Sequence, residues 1–322
     1  MRTLIIPCMG RKMIYGMPQW LLKHPTNVSI LDYGISKINR LDFDNIIVVI
    51  YESDLMYENA EYELDKIKNT YSNVRILVLK NLTNGPAETV YLTIKKLQIR
   101  GPVVIKDVDV ITNELLFNEG NYIVGINLEK NDDITNLKNK SFLILNEQKQ
   151  ILDVIEKHIK SEYISMGVYG FENAEDLIST YEKLTDVSYG IKRIYISHII
   201  AYLIGRYNKI FYFKELKYYE IYDNEKIWEE CLRKYCKYII DYDKIAAFYN
   251  CNNLNKCIDV MLLKGYKVEI FASDLYFHQL RQYFNKKIAI HKKYINTDIK
   301  VIDNLIELMN ITHCDSKRRN AL

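Results

Sequence analysis

The chain lacks any apolar run of about 18 residues, the length a membrane-crossing helix needs. Its first residues pass straight into a strand-like run, without the basic lead and apolar segment of a secretory signal. Export and membrane spanning are therefore not expected, and a cytoplasmic protein is. Charge of one sign is missing too: 44 basic residues face 41 acidic ones, for a formal net charge of +3. That balance leaves no electrostatic footprint for nucleic acid. The six cysteines (Cys8, Cys231, Cys236, Cys251, Cys257 and Cys314) nowhere form paired Cys-x-x-Cys motifs, and the six histidines show no metal-ligand spacing. A zinc site of that type is excluded, and reduced thiols are expected. The 27 tyrosines are spread along the whole chain and read as composition rather than function.

What the chain does contain is enough for two domains: 322 residues, 48% of them hydrophobic. Strand-like apolar runs at 3–7, 45–51, 74–79, 102–105 and 122–126 alternate with helix-like segments at 54–71 and 87–99. The pattern predicts an α/β fold with a mostly parallel, Rossmann-like sheet covered on both faces. Residues 140–147 and 150–157 read as two strands joined by a turn, 172–184 and 191–204 as helices, and 209–222 as extended segments. The first domain is expected to span 1–232. The second, 233–322, opens with a β-α-β unit over 238–243, 254–263 and 267–273.

Two strand ends carry the chemistry. Ile105-Lys106-Asp107-Val108-Asp109 closes an apolar strand with two carboxylates, which can hold a divalent ion against a triphosphate. Alternate strand residues face one side, so both aspartates reach one ion if the strand continues. An isolated pair of this kind also serves simply to cap a turn. Some fifty residues on, Ile155-Glu156-Lys157 is followed by Ser165-Met166-Gly167-Val168-Tyr169-Gly170-Phe171, which can place an ammonium near a second substrate's phosphate.

Taken in order, the opening Leu4 to Lys12, then Met17-Pro18-Gln19, Asn84 to Thr89, the aspartate pair, Glu156-Lys157 and Gly167 to Phe171 resemble the sugar-phosphate nucleotidyltransferases, over residues 1–230. The resemblance implies a GT-A-like fold and transfer of a nucleoside monophosphate unit from a nucleoside triphosphate to a phosphorylated sugar or other small acceptor. Pyrophosphate is released, Mg2+ or Mn2+ is required, and the setting is capsule or surface-polysaccharide assembly. It implies catalytic roles for Arg11, Lys12, Asp107 and Lys157, and metal ligation by Asp107, Asp109 and Glu220. Pro7, Gly10, Gln19, Gly85, Pro86, Ala87, Glu88 and Lys106 fall on the nucleotide side, and Lys140, Glu156, Gly167 and Tyr169 on the acceptor side. The chain departs from the family in three places. The Gly-rich start is compressed to Gly10-Arg11-Lys12, Gln19 stands where the family has lysine, and Tyr219-Glu220-Ile221-Tyr222-Asp223 lacks the usual Gly-Thr.

The second unit resembles the start of a haloacid-dehalogenase-like (HAD-like) phosphatase, with Asp241 as nucleophile, Asp243 as acid/base and Ser273 as the hydroxyl of the second motif. Lys244 replaces the usual glycine, Lys286 is the lysine candidate, and no late acidic pair occurs, so a degenerate unit with weak or absent phosphatase activity is expected. Two rival readings stay open for the whole chain: a GT-A glycosyltransferase using a nucleotide-sugar, and a nucleotide-binding scaffold without turnover. A homo-oligomer stays open as well.

Overall fold

The computed structural model describes residues 1–10, 13–114, 117, 119–131, 134, 136–187, 193–235, 237–247, 250–263, 266–284 and 288–292. The chain divides into two compact units, Met1–Asn224 and Glu225–Leu322, the first ending ahead of the residue 232 expected from the sequence.

The first unit runs β1 (Thr3–Pro7), β2 (Met13–Ile14), β3 (Met17–Pro18), α1 (Ile30–Lys37), β4 (Asn45–Tyr51), α2 (Ala60–Thr70), β5 (Val74–Leu79), α3 (Pro86–Leu97), β6 (Val103–Lys106) and β7 (Val110–Ile111). It continues with β8 (Asn121–Asn127), β9 (Ser141–Leu145), β10 (Gln150–Glu156), β11 (Tyr163–Phe171), α4 (Ala174–Val187), α5 (Ile196–Tyr207), β12 (Phe211–Glu215) and β13 (Glu220–Ile221). Nine strands form one sheet in the order β5-β4-β1-β6-β11-β8-β12-β10-β9. Its first four strands are parallel, as the βα alternation predicts. The rest is mixed: β11 runs antiparallel to both β6 and β8, and β10 antiparallel to β12 and β9, while β12 and β8 are parallel. The sheet is therefore less parallel than the sequence suggested. The difference comes from β11, which inserts between β6 and β8 rather than adding at an edge.

Side chains alternate across these strands, so one sheet builds two cores. Leu4, Ile6, Ile46, Val48 and Val104 pack with Trp20, Leu31, Ile35 and Leu64 on one face. Ile5, Ile47, Val49, Val103 and Ile105 pack on the other with Val90, Ile94, Leu177 and Ile199. A helix start is legible at α1, where the Ser29 hydroxyl accepts from the Asp32 amide at 3.2 Å. Asp32 then fastens α1 to α2: its carboxylate accepts from Lys66 Nζ at 2.9 Å and Tyr71 OH at 2.8 Å.

The second unit comprises α6 (Glu225–Tyr235), β14 (Lys237–Asp241), α7 (Tyr242–Ala246), α8 (Cys251–Leu263), β15 (Lys267–Ala272), α9 (Asp274–Phe284) and β16 (Ala289–Lys292). Its three strands are parallel in the order β14-β15-β16 over a core that includes Ile240, Ile258, Met261 and Ile270. Cys8, Cys231, Cys251 and Cys257 are free thiols. Among the described residues no helix is long and apolar enough to cross a membrane.

Candidate active site

The expected site residues lie at strand ends and in the turns that follow them. Pro7 ends β1, and the Cys8 amide continues the ladder by donating to Val49 O at 2.9 Å; Gly10 beyond it is exposed. Arg11 and Lys12 lie outside the described residues. The β2–β3 hairpin turns through Tyr15 and Gly16, both at positive φ (54° and 76°), and delivers Gln19. There the side chain is buried, and Nε2 donates to Tyr222 O at 3.0 Å. The neighbouring Trp20 donates its indole N–H to Asp54 at 3.0 Å, and burial raises the Asp54 pKa.

Strand β6 stops at Lys106, so Asp107-Val108-Asp109 is a turn and strand alternation does not govern the two carboxylates. Asp107 is half-buried and Asp109 is buried at 7% exposure. The Asp107 amide donates to Gly167 O at 2.8 Å. Gly167 sits at φ +70° in a bulge of β11, and a Cβ there would stand 2.8 Å from Asp107 Cγ. Only glycine allows this close approach. Lys106, assigned to the nucleotide side above, is 1% exposed and donates from Nζ to Asp107 O at 3.1 Å, so its ammonium faces the protein interior.

From Gly167 a line of polar groups runs toward β10. Tyr169 is buried and has the Ser165 and Ser141 hydroxyls as hydrogen-bond partners. Burial pushes its phenol pKa up, and the Asp107 and Glu156 carboxylates add to the rise. Glu156 Oε2 accepts from Ser141 Oγ at 2.5 Å and Ser197 Oγ at 2.6 Å. Lys157 takes a left-handed backbone (φ 59°), unusual for a residue with a side chain. Its amide donates to Lys140 O at 3.0 Å, while Nζ donates to Tyr195 OH and lies 4.1 Å from that ring's centroid. Arg193 lies 5.1 Å from the same ring. Its Nε would be 2.6 Å from a Cβ on Gly85, the residue that starts α3. Arg193 and Tyr195 thus connect the Gly85-Pro86-Ala87 segment with Glu156-Lys157. Nothing in their sequence spacing marked them. Glu88 closes the start of α3 by accepting from Asn84 N at 2.6 Å and Nδ2 at 2.8 Å, and buried Ala87 packs beneath.

Two other expected residues are engaged internally. Lys140 pairs with Asp223 at 3.1 Å, the side chains 14% and 6% exposed. The Glu220 carboxylate accepts from the phenols of Tyr33 (3.5 Å), Tyr218 and Tyr222. His24 stacks on Tyr33 at 3.8 Å and lies 3.3 Å from Tyr222 OH, and burial lowers its pKa. Among the described residues no group of three or more His, Cys, Asp or Glu side chains is placed to hold a metal ion. Asp107, Asp109 and Glu220 therefore do not form a protein-only cage. The half-buried carboxylate of Asp107 still fits the usual way Mg2+ is held, by one or two carboxylates together with substrate phosphates.

In the second unit Asp241 ends β14, and its side chain accepts from the Lys244 amide at 3.3 Å, which starts α7 at once. Asp243 consequently lies in a helix, not on the strand as expected. Its carboxylate accepts from Ser273 N at 2.7 Å and from the Ser273 hydroxyl. Lys286 lies outside the described residues.

No protein-family model and no curated protein matches the chain. Similar solved structures do exist. The nucleoside-diphosphate-sugar pyrophosphorylase from Vibrio cholerae RC9 superposes with a TM-score of 0.59 at 16% identity, over 72% of this chain and 100% of that one. The inositol-1-phosphate CTP transferase from T. maritima gives 0.54 at 12% identity, over 70% of this chain and 91% of that one. The mixed α/β fold of this chain is similar to the fold of these nucleotidyltransferases.

Proposed function

We propose that the protein is a nucleotidyltransferase, joining the nucleoside monophosphate unit of a triphosphate to a phosphorylated sugar or similar small acceptor. The observation that carries this reading is the line of groups from Asp107 through Gly167 and Tyr169 to Glu156, with Lys157, Tyr195 and Arg193 leading on to Gly85. This continuity supports reading the Asp107 end as the donor side and the Lys157 end as the acceptor side. In the reaction an acceptor phosphate oxygen attacks the α-phosphorus in line, the α–β bridging bond breaks, and pyrophosphate leaves with the electron pair. The acceptor phosphate is already ionised near neutral pH, so positioning and charge stabilisation outweigh proton transfer. Mg2+ or Mn2+, held by Asp107 and the phosphates, would supply charge neutralisation on the triphosphate. Lys157 supplies the ammonium for the acceptor phosphate, and the Arg193 guanidinium adds a second positive charge beside the start of α3.

Gln19 departs from this scheme, because its amide is bonded to a backbone carbonyl and brings no charge. That observation favours the second reading, nucleotide binding without turnover. For the second unit we propose a structural role, since Ser273 engages both oxygens of Asp243.

The test is a thermal-shift screen against the four common nucleoside triphosphates with Mg2+, followed by pyrophosphate release with sugar-phosphate acceptors. Stabilisation by one triphosphate and pyrophosphate release abolished by Asp107→Ala are expected. Binding without release would leave the scaffold reading. A shift only with a nucleoside diphosphate sugar would move the assignment to glycosyl transfer.

A further inference from the structure

On the acceptor side, the side chains that the resemblance assigns to the ligand are turned to protein partners. Glu156 ends β10 with its side chain only 12% exposed, and its Oε2 accepts from Ser141 Oγ at 2.5 Å and Ser197 Oγ at 2.6 Å. Both serines are buried. The other carboxylate oxygen, Oε1, lies 3.9 Å from Lys157 Nζ. Tyr169 is buried with the Ser165 and Ser141 hydroxyls as partners, and Lys140 is paired with Asp223. Turning Glu156 toward a ligand would strip two buried hydroxyls of their acceptor, a cost that a single new hydrogen bond does not offset.

From its inward position Glu156 acts on its neighbour. Ser197 lies two residues beyond Tyr195, so the Glu156–Ser197 bond docks the start of α5, and Tyr195 with it, against the end of β10. Tyr195 OH then accepts from Lys157 Nζ, and its ring centroid lies 4.1 Å from that ammonium and 5.1 Å from the Arg193 guanidinium. Lys157, 39% exposed, and Arg193, exposed, are the charges left facing outward. A site built to bond a hydroxyl rejects an analogue lacking it by roughly 10⁴-fold, because its own buried groups lose their partner; here those groups keep theirs. We propose that Glu156 is a positioning residue and not an acceptor contact, so that the site selects small phosphomonoesters by their phosphate, through Lys157 and Arg193, without reading the hydroxyls of the group attached to it. This deepens the nucleotidyltransferase reading and rests on it for the acceptor's place in the reaction.

The test is isothermal titration with glucose 1-phosphate, its 2-, 3-, 4- and 6-deoxy analogues, ethyl phosphate and unphosphorylated glucose, each with and without a triphosphate and Mg2+. Wild type is expected to bind the phosphomonoesters within about ten-fold of one another, and glucose at least ten-fold more weakly than its phosphate. A wider spread among the phosphomonoesters overturns the proposal, as does a smaller loss with glucose or no binding of any phosphomonoester. Glu156→Ala should weaken every phosphomonoester by the same factor, about ten-fold, and Glu156→Gln should recover most of that loss, because its amide oxygen can still accept from both serines. A hydroxyl contact by Glu156 predicts instead a loss confined to acceptors that keep that hydroxyl. That pattern, or unchanged affinity in Glu156→Ala, overturns the positioning role. The wild-type comparison does not depend on either variant folding. Phosphomonoester binding without pyrophosphate release from any triphosphate would remove the transferase reading and leave the selectivity standing.

Discussion

Replacing Gly167 by alanine puts a methyl group where the Asp107 side chain already stands. The backbone at Gly167 has φ +70°, and the new Cβ would lie 2.8 Å from Asp107 Cγ and 3.0 Å from its Cβ. A left-handed conformation costs a residue with a side chain roughly 1–2 kcal/mol. Overpacking at a buried site adds roughly 1–3 kcal/mol. Together these predict a loss of about 2–5 kcal/mol, which for a unit of this size lowers Tm by roughly 4–20 °C. The two parts separate in a double-mutant cycle of urea denaturation. In an Asp107→Ala background the contact with Cγ is gone and only the Cβ contact and the backbone strain remain, so Gly167→Ala should cost about 1 kcal/mol less there. The functional effect should exceed the stability effect: the displaced Asp107 carboxylate is expected to slow pyrophosphate release by roughly 10²-fold, even at temperatures where the variant is fully folded. Strict additivity in the cycle would refute the claim that Gly167 is shaped around Asp107. Unchanged turnover would refute the claim that this contact places the carboxylate.

Two further outcomes are expected. Lys140→Ala should destabilise the protein by about 2–3 kcal/mol, because Asp223 is left buried without its cation; a raised acceptor KM with unchanged unfolding would instead make Lys140 a substrate contact. Stability should also fall as the pH drops below 6.5, because burial lowers the pKa of both His24 and His198. The unfolded chain then takes up protons at the ordinary histidine pKa while the folded protein resists them, so the unfolded state gains on acidification. The loss should be smaller in His24→Gln, and an identical pH profile in that variant would remove His24 from the account.

How much of this was legible in sequence depended on how local the cause is. Strands β1 and β4 fell where continuous apolar runs required them, since a central parallel strand is covered on both faces and needs no alternation. The Gly85-Pro86 start of α3 was legible for a similar reason: proline tolerates the first helical turn, where its missing N–H has no partner to lose. The aspartate pair was visible as a motif, but its geometry was not, because β6 ends at Lys106 and both aspartates lie in the turn beyond it. The tyrosines were set aside as composition, yet three of them hold Glu220, a convergence of residues 33, 218 and 222 that no local pattern records.

Sequence by itself determined the alternation of strands and helices and the order of the motifs along the chain. These follow from apolar periodicity and from residue types whose backbone preferences act within a few positions. Tertiary structure alone decided that β11 lies between β6 and β8, which brings Gly167 onto Asp107 and Tyr169 toward Glu156. It also placed Arg193 against Gly85 and turned Lys106 inward beneath α1. Each of these depends on which surfaces meet across the sheet, and the free energy of burying a charge or closing a contact is fixed only when the partner arrives from a distant part of the chain.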